Sequence, residues 1–384
     1  MNWFQKLFNL GPGTTFYPDT FSRIISPSPQ FNDYKDSQII EKAFSNPAFL
    51  LIISLQCDLF SIAKLYVYKD GKDLDNPDHP ALKNLEKPNF FQSQQQFLWD
   101  YMFWLMIGNA YLYSYQRTPG DDILYFLDPT RMEFPNGFER RLNKIILSKK
   151  SYNDLMDTYI KYKNEDSTEM TIKLKDIISI SDLSNGTGNW LKGNSRVTAL
   201  KKVIDNIEEI LDSTNINMRY SGKYLVAGKQ DPERDMDKVP LTNEEKLSIE
   251  ETMNGPKKVH GLKSMIEIKR FVENIGNLKL TETYQHQYFI IGSMFGIPQD
   301  VLEAYLKSST FENQEKAIGR HVIYTMQPKG DDLMNRTGNR WQLPNGERLV
   351  ISWDHLPFMQ IFERDRMSHK TQQINTFKTM LNMG

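Results

Sequence analysis

The chain has 384 residues, enough for about two or three domains and a substantial core. Its 47 Lys and Arg stand against 48 Asp and Glu, a net charge of −1, so it lacks the basic surplus with which proteins grip nucleic acid by counterion release. Cys57 is the single cysteine, which excludes an internal disulfide and a cysteine-based zinc site.

Residues 1–35 are rich in Gly, Pro, Ser and Asn, with Gly11-Pro12-Gly13 and Ser26-Pro27-Ser28-Pro29, and predict an extended arm. Met1 to Phe8 form a short amphipathic piece without the long apolar region of a signal peptide. The longest apolar run, Ala48 to Leu55, is far short of the ~20 residues that a membrane span needs. A helix is predicted from about Ser37, carrying Ile39, Ile40, Ala43 and Phe44. Pro47 either interrupts it or opens a second helix through Leu55 and Leu59 to Ile62 and Ala63, since proline is tolerated in a first turn. Lys64 to Lys69 alternates and is aromatic, which predicts a strand. A polar loop to His79, a short helix Pro80–Leu85 and a break at Pro88-Asn89 follow. Ser93 to Ile107 predicts a strong helix with Phe97, Tyr101, Trp104 and Leu105 on one face, ended by Gly108-Asn109. Ala110–Gln116 and Ile123–Leu127 predict two strands around the turn Thr118–Asp121. Short strands continue to about residue 180, including Thr171–Leu174 and Ile177–Ile180.

Ser184 to Asn194 is rich in Gly and Asn and separates two regions. From Ser195 a long amphipathic helix is predicted on Val197, Leu200, Ile204, Ile207 and Leu211. Residues 219–275 predict a strand at Tyr224–Val226, a helix capped by Thr242 with Glu245 and ended near Asn254-Gly255-Pro256, and a strand from Met265. A helix from about Leu280 leads to Phe295, where Gly296 and Pro298 break it. Ser309 and Glu312 have capping-box spacing, so a helix is predicted over Thr310–Gln327. Leu349–Trp353 reads as a strand, and a polar helix is predicted from about Met359 to Leu381.

Catalytic signatures are absent: there is no P-loop, no nucleophile elbow and no His-Glu-x-x-His, and the six histidines are scattered. Asp354-His355 reads as a strand-end turn before Pro357, because sequence neighbours on a strand point to opposite faces. Glu165-Asp166 and Glu244-Glu245 read as solvated charges, and Asp331-Asp332 as a helix start. The aromatics between Phe97 and Tyr115 sit at core spacing, with no Arg or Lys among them, and predict core rather than base stacking. Lys257-Lys258 and Lys269-Arg270 are small basic clusters with the default reading of solvated surface. No catalytic residue, metal set or cofactor site is predicted, and the chain reads as a non-enzyme.

Several segments, in order, resemble those of the portal proteins of tailed double-stranded DNA phages. They are His79-Pro80-Ala81-Leu82 with Leu85, Pro88 and Asn89; Gly108-Asn109-Ala110-Tyr111; Asp176 to Ile180 with Gly188 and Ser195; Phe295-Gly296-Ile297-Pro298; and Thr310-Phe311-Glu312-Asn313. The chain is similar to the short, HK97-type subgroup, which includes the portals of gene-transfer agents. The resemblance covers about residues 40 to 330, and it rests on the collinear order of motifs that are individually weak.

The resemblance implies an α+β portal fold. Residues 36–194 would be the wing behind the arm 1–35, and 195–218 the first stem helix. A small α/β clip would span 219–275, the second stem helix 276–296 and the tunnel loop 297–309. The tunnel helix and wing return would occupy 310–358, and a short C-terminal helix in place of a crown 359–384. It implies a ring of about twelve copies at one capsid vertex, assembled in the host cytoplasm, with a heterologous interface that closes on itself. The partners implied are the duplex DNA passing through, the large terminase, the major capsid protein and the head-tail adaptor, with no membrane and no cofactor. Lys307, Ser308 and Ser309 would contact DNA from the tunnel loop, joined by Lys316 and Arg320, which lie four apart on the next helix. Lys229, Lys257 and Lys258 would belong to the docking surface of the clip. The rival readings are a phage-encoded DNA-processing hydrolase, which needs a clustered acidic or histidine site, and a capsid or scaffold protein other than a portal.

Overall fold

The computed structural model describes residues 36–116, 119–120, 122–134, 156–164, 168–183, 191–220, 224–228, 243–244, 247, 266–270, 279–304, 311–344, 346–360 and 371–372. The predicted arm, the site residues Lys229, Lys257, Lys258, Lys307, Ser308 and Ser309, and nearly all of the predicted C-terminal helix lie outside this range.

Pro47 opens a second helix rather than kinking one, giving α1 (Asp36–Ser45) and α2 (Pro47–Ser61). Asn46 supplies the cap: its Oδ1 accepts from Phe49 N at 3.1 Å, and its Nδ2 donates to Ile204 O at 3.2 Å. β1 (Lys64–Lys69) turns through Asp70 and Gly71, both at positive φ, into β2 (Lys72–Asp73). α3 (Pro80–Glu86) is capped by His79, whose Nδ1 accepts from Ala81 N. α4 (Gln94–Ile107) starts with a full capping box from Ser93 and Gln96 and ends on Gly108 at φ 138°. Phe97, Leu98, Tyr101, Met102, Phe103, Leu105, Met106 and Ile107 are all buried, so α4 is apolar nearly all round and forms the centre of the core.

β3 (Asn109–Ser114) follows directly and pairs with β4 (Leu124–Leu127), with Tyr113 opposite Tyr125. β5 (Met132–Glu133), β6 (Tyr159–Lys163) and β7 (Glu169–Lys173) make a second antiparallel sheet in that order. β8 (Ile177–Ser181) returns to the first, completing the order β4-β3-β8. Tyr111, Leu127, Met132, Ile160, Tyr162 and Leu174 form the core these two sheets share.

α5 (Arg196–Tyr220) buries Val197, Leu200, Ile204 and Ile207 as the periodicity predicts, while Leu211 is exposed. β9 (Tyr224–Gly228) and β10 (Ile266–Arg270) pair antiparallel. α6 (Leu280–Met294) packs on α5. The segment after it, predicted as a loop, contains the short helix α7 (Gln299–Ala304).

The largest departure from the sequence reading is the next helix. It does not stop at Gln327. α8 (Phe311–His321) passes through a π-helical turn at Val322–Met326 into α9 (Gln327–Trp341). Proline inside a helix normally clashes with the carbonyl four residues back. Here Pro328 follows a widened turn, in which Gln327 N reaches back to Val322 O, and so begins α9 without ending the rod. Asp331 and Asp332 are therefore mid-helix rather than a helix start. Asp331 accepts from Gln327 Nε2 at 2.9 Å, and Asp332 pairs with Arg336 at 2.8 Å.

β11 (Glu347–Ser352) pairs antiparallel with β1, from Lys64 opposite Ser352 to Lys69 opposite Glu347, in a sheet of order β11-β1-β2. Trp353 lies buried at its end, donating from Nε1 to Leu59 O at 2.8 Å. Asp354 and His355 form the turn that follows. The result is an α+β chain of buried helices and small antiparallel sheets. Among the described residues no single helix is long and apolar enough to cross a membrane.

Candidate functional site

The Phe295-Gly296-Ile297-Pro298 segment is a two-way helix joint. Gly296 N donates to Ser293 O and Ile297 N to Gly292 O, both at 3.0 Å, the paired bonds of a glycine-terminated helix end. Gly296 has φ +78°, and a Cβ there would stand 3.0 Å from Thr325 Oγ1, so both conformation and space select glycine. Pro298 then opens the next turn, its carbonyl accepting from Val301 N and Leu302 N.

Two distant side chains clamp this joint. Gln56 of α2 donates from Nε2 to Phe295 O at 3.3 Å. His321, at the end of α8, has Nδ1 2.8 Å from Gly296 O and Nε2 3.2 Å from Gln56 Oε1. The Gly296 carbonyl can only accept, so the neutral ring carries its proton on Nδ1, and Nε2 meets Gln56 Oε1 as a close contact without a shared proton. Phe295 stacks on Phe49 of α2, with ring centroids 6.2 Å apart. Burial is the main cause that holds His321 down from its ordinary 6.5 to about 4; Lys329 adds to it and the Gly296 carbonyl opposes it.

That shift has a stability consequence. The folded state refuses a proton that the unfolded state accepts, so the joint keeps its full contribution above pH 6.5 and loses it as pH falls towards 4. The loss over that window is about 3 kcal/mol. Urea unfolding at pH 7 and pH 4.5 is expected to show this slope in the wild type and a shallower one in His321→Gln; equal slopes would refute the assignment.

A second cluster ties the same region together. Asp182, just past β8, is 1% exposed in its side chain and takes Arg196 Nε at 2.5 Å and Lys329 Nζ at 3.4 Å. Arg196, at the first residue of α5, also donates from Nη1 to Met294 O at the end of α6 at 2.7 Å. Lys329 lies on α9, with its pKa lowered chiefly by burial. One carboxylate thus joins a sheet, the start of α5, the end of α6 and the long rod.

What the assembled side chains do is hold geometry. The residues assembled are a glycine turn, a neutral histidine, an amide and an ion triad, and among the described residues no group of three or more His, Cys, Asp or Glu stands as metal ligands would. What the joint fixes is the direction in which the chain leaves α6 for α7. Of the residues expected to contact DNA, Lys316 is half-buried and Arg320 exposed, one turn apart on α8. His321, Gln56, Asp182, Arg196 and Lys329 were not among the residues singled out from the sequence; only the Gly296 and Pro298 break marked the place.

No family model and no curated protein matches the chain. Solved structures do. A chain in the neck of an empty gene transfer agent (GTA) particle, computed with C6 symmetry, is similar over 91% of this chain and 94% of its own, with a TM-score of 0.63 and 14% identity. A chain in the neck of the native GTA particle, computed with C12 symmetry, covers 87% and 88%, with a TM-score of 0.61 and 15% identity. The crystal structure of an HK97 family phage portal protein from Corynebacterium diphtheriae covers 83% of this chain and 97% of that one, with a TM-score of 0.51 and 10% identity. At these identities what is shared is the fold, and it extends over most of the chain.

Proposed function

We propose that the protein is a structural portal protein, and that copies of it close into a ring of about twelve at one vertex of a DNA-containing particle, using a heterologous interface. The observation that carries this reading is a fold shared over most of the chain with particle-neck and portal chains, one of them computed with C12 symmetry. In this reading duplex DNA passes through the axial hole during packaging and ejection, while a separate terminase supplies the work. The net charge of −1 suits passage, since a strongly basic channel would bind DNA through counterion release and hold it.

The finer assignments follow the same reading. Residues 36–194 make the wing, α5 and α6 the stem, and β9 with β10 the frame of the clip that docks terminase and head-tail adaptor, with Lys229, Lys257 and Lys258 on that surface. The rod α8–α9 is the tunnel helix. Lys307, Ser308 and Ser309 meet the DNA backbone in the channel, with Arg320 and Lys316 behind them. The clamped joint at Gly296 is what gives the tunnel loop a fixed point of departure.

Native mass measurement with negative-stain imaging of the purified chain tests the proposal. A closed ring with an axial hole wide enough for a duplex is the expected result. A monomer that cleaves DNA in the presence of a divalent metal would overturn it in favour of a hydrolase.

A further inference from the structure

A sheet edge exposes unpaired backbone, and several edges of this fold are capped by other parts of the chain. Leu124 of β4 has both backbone groups taken: its N donates to Pro88 O at 2.9 Å and its O accepts from Asn89 Nδ2 at 3.0 Å. On β8, Ser179 O accepts from Arg336 Nη1 at 3.0 Å, and on β11, Ile351 O accepts from Gln327 Nε2 at 2.9 Å. β7 differs. It pairs with β6 on one side only, and the register says which groups are left over. Asn164 N donates to Thr168 O and Leu174 N to Thr158 O, both at 2.9 Å, so the hydrogen-bonded pairs are these two and every second pair between them. Met170 and Ile172 therefore turn their backbone groups to β6. Thr171 turns both of its groups outward, and no described residue meets them.

A cleft of about 580 Å3 borders this edge. Met170, Thr171, Ile172 and Lys173 all line it; alternate side chains leave a strand on opposite faces, so four consecutive residues share one cleft where it follows the strand's edge. The lining is mixed. Tyr113, Tyr125, Leu127, Tyr159 and Tyr162 give it apolar surface with hydroxyl tips, while Arg131, Asn164 and Asp176 add polar groups. It is an open side of the core that the two sheets share, where Tyr113 and Ile172 are only partly buried. The charges there are not balanced. Asp176 is already paired with Arg340 at 3.1 Å, and Glu169 with Lys161 at 2.7 Å. Lys173 lies 5.6 Å from the centre of the Tyr159 ring, and among the described residues no carboxylate pairs with it. A free backbone edge, an aromatic cleft beside it and a cation without an anion make up the receptor side of strand addition.

We propose that β7 takes up an extended segment of a different protein as an added strand, with apolar side chains entering the tyrosine cleft and an acidic residue opposite Lys173. The ladder supplies affinity through Thr171, and the cleft and Lys173 supply the choice of sequence. The pairs Lys161–Glu169 and Lys163–Glu133 put charge on the face opposite Met170 and Ile172, which discourages indiscriminate pairing at the same edge. A single copy carries the whole site, so the inference stands apart from the ring reading.

Calorimetric titration of the full chain tests it with a blocked peptide of about eight residues, a common strand length, alternating valine or phenylalanine with glutamate. Saturable binding is expected, weakened at least ~10-fold when the peptide is N-methylated throughout and has no donors for the ladder. Thr171→Pro removes an N–H that β6 does not use, a change that edge strands tolerate, and is expected to weaken binding by a similar factor with the fold intact. Lys173→Glu is expected to reverse the preference, so that a lysine version of the peptide binds more tightly than the glutamate one. No binding to the wild type, or equal binding of the methylated peptide, would overturn strand addition. Unchanged affinity in a folded Thr171→Pro chain would overturn its placement on β7. A wild-type preference for the lysine peptide would overturn the acidic occupant. Oligomers that come apart as the peptide binds would make the occupant a second copy of this chain and overturn its assignment to a different protein.

Discussion

Asp182→Ala is expected to cost about 3 kcal/mol of folding stability, at the lower end of what breaking a buried ion pair costs. The variant removes the carboxylate that Arg196 and Lys329 share, and Lys329 keeps 16% of its side-chain surface. Two cations then face each other with no anion between them. The cost falls at the low end because Arg196 retains 25% exposure and its bond to Met294 O. Urea unfolding should show a lower midpoint with an unchanged slope, and Asp182→Asn should recover little, because it restores shape without charge. A variant within 0.5 kcal/mol of wild type, the usual range for surface substitutions, would show that the triad is not a structural tie.

Trp353→Ala is expected to cost about 3–5 kcal/mol, as other buried aromatic truncations do. Trp353 is 1% exposed and meets Phe60 edge-on, with ring centroids 5.4 Å apart. The gap cannot close easily, because the opposing surface is helix backbone at Gly330, where an added Cβ would already stand 3.3 Å from the indole and 2.6 Å from Ile351. Thermal and urea unfolding would measure the loss. A cost below 1 kcal/mol would mean that β11 does not depend on this anchor.

Local chemistry was legible in the sequence. Ser93 marked the start of α4 and Gly108 its end, while Pro47 left two outcomes open, of which the Asn46 cap selects the second helix. The spacing of Val197, Leu200, Ile204 and Ile207 wrote the buried face of α5. These signals work because each acts within one or two turns of its own residue. Pro328 misled for the same reason: the widened turn that tolerates it depends on how Val322–Met326 sits against the core, which local rules do not see. The joint at Gly296 was visible as a break but not as a clamp. Gln56 and His321 are 265 residues apart, and neither carries a pattern of its own. Asp182 lies in a polar turn, where a charge is read as solvated by default, and only the approach of Arg196 and Lys329 makes it a tie.

The pairing of β1 with β11 has a consequence for how the chain is made. Leu59 and Trp353, joined by one hydrogen bond, stand 294 residues apart. Contacts of such separation form late, because the intervening chain must first be ordered or at least drawn together. During synthesis β1 therefore waits with an unpaired edge until Ser352 has left the ribosome, and a product truncated before Glu347 never covers it. Closure of the first sheet therefore waits on synthesis of β11. A copy cut short before β11 would present an unpaired strand edge and a Phe60 that keeps Tyr101 but lacks Trp353, a surface prone to pair with other chains.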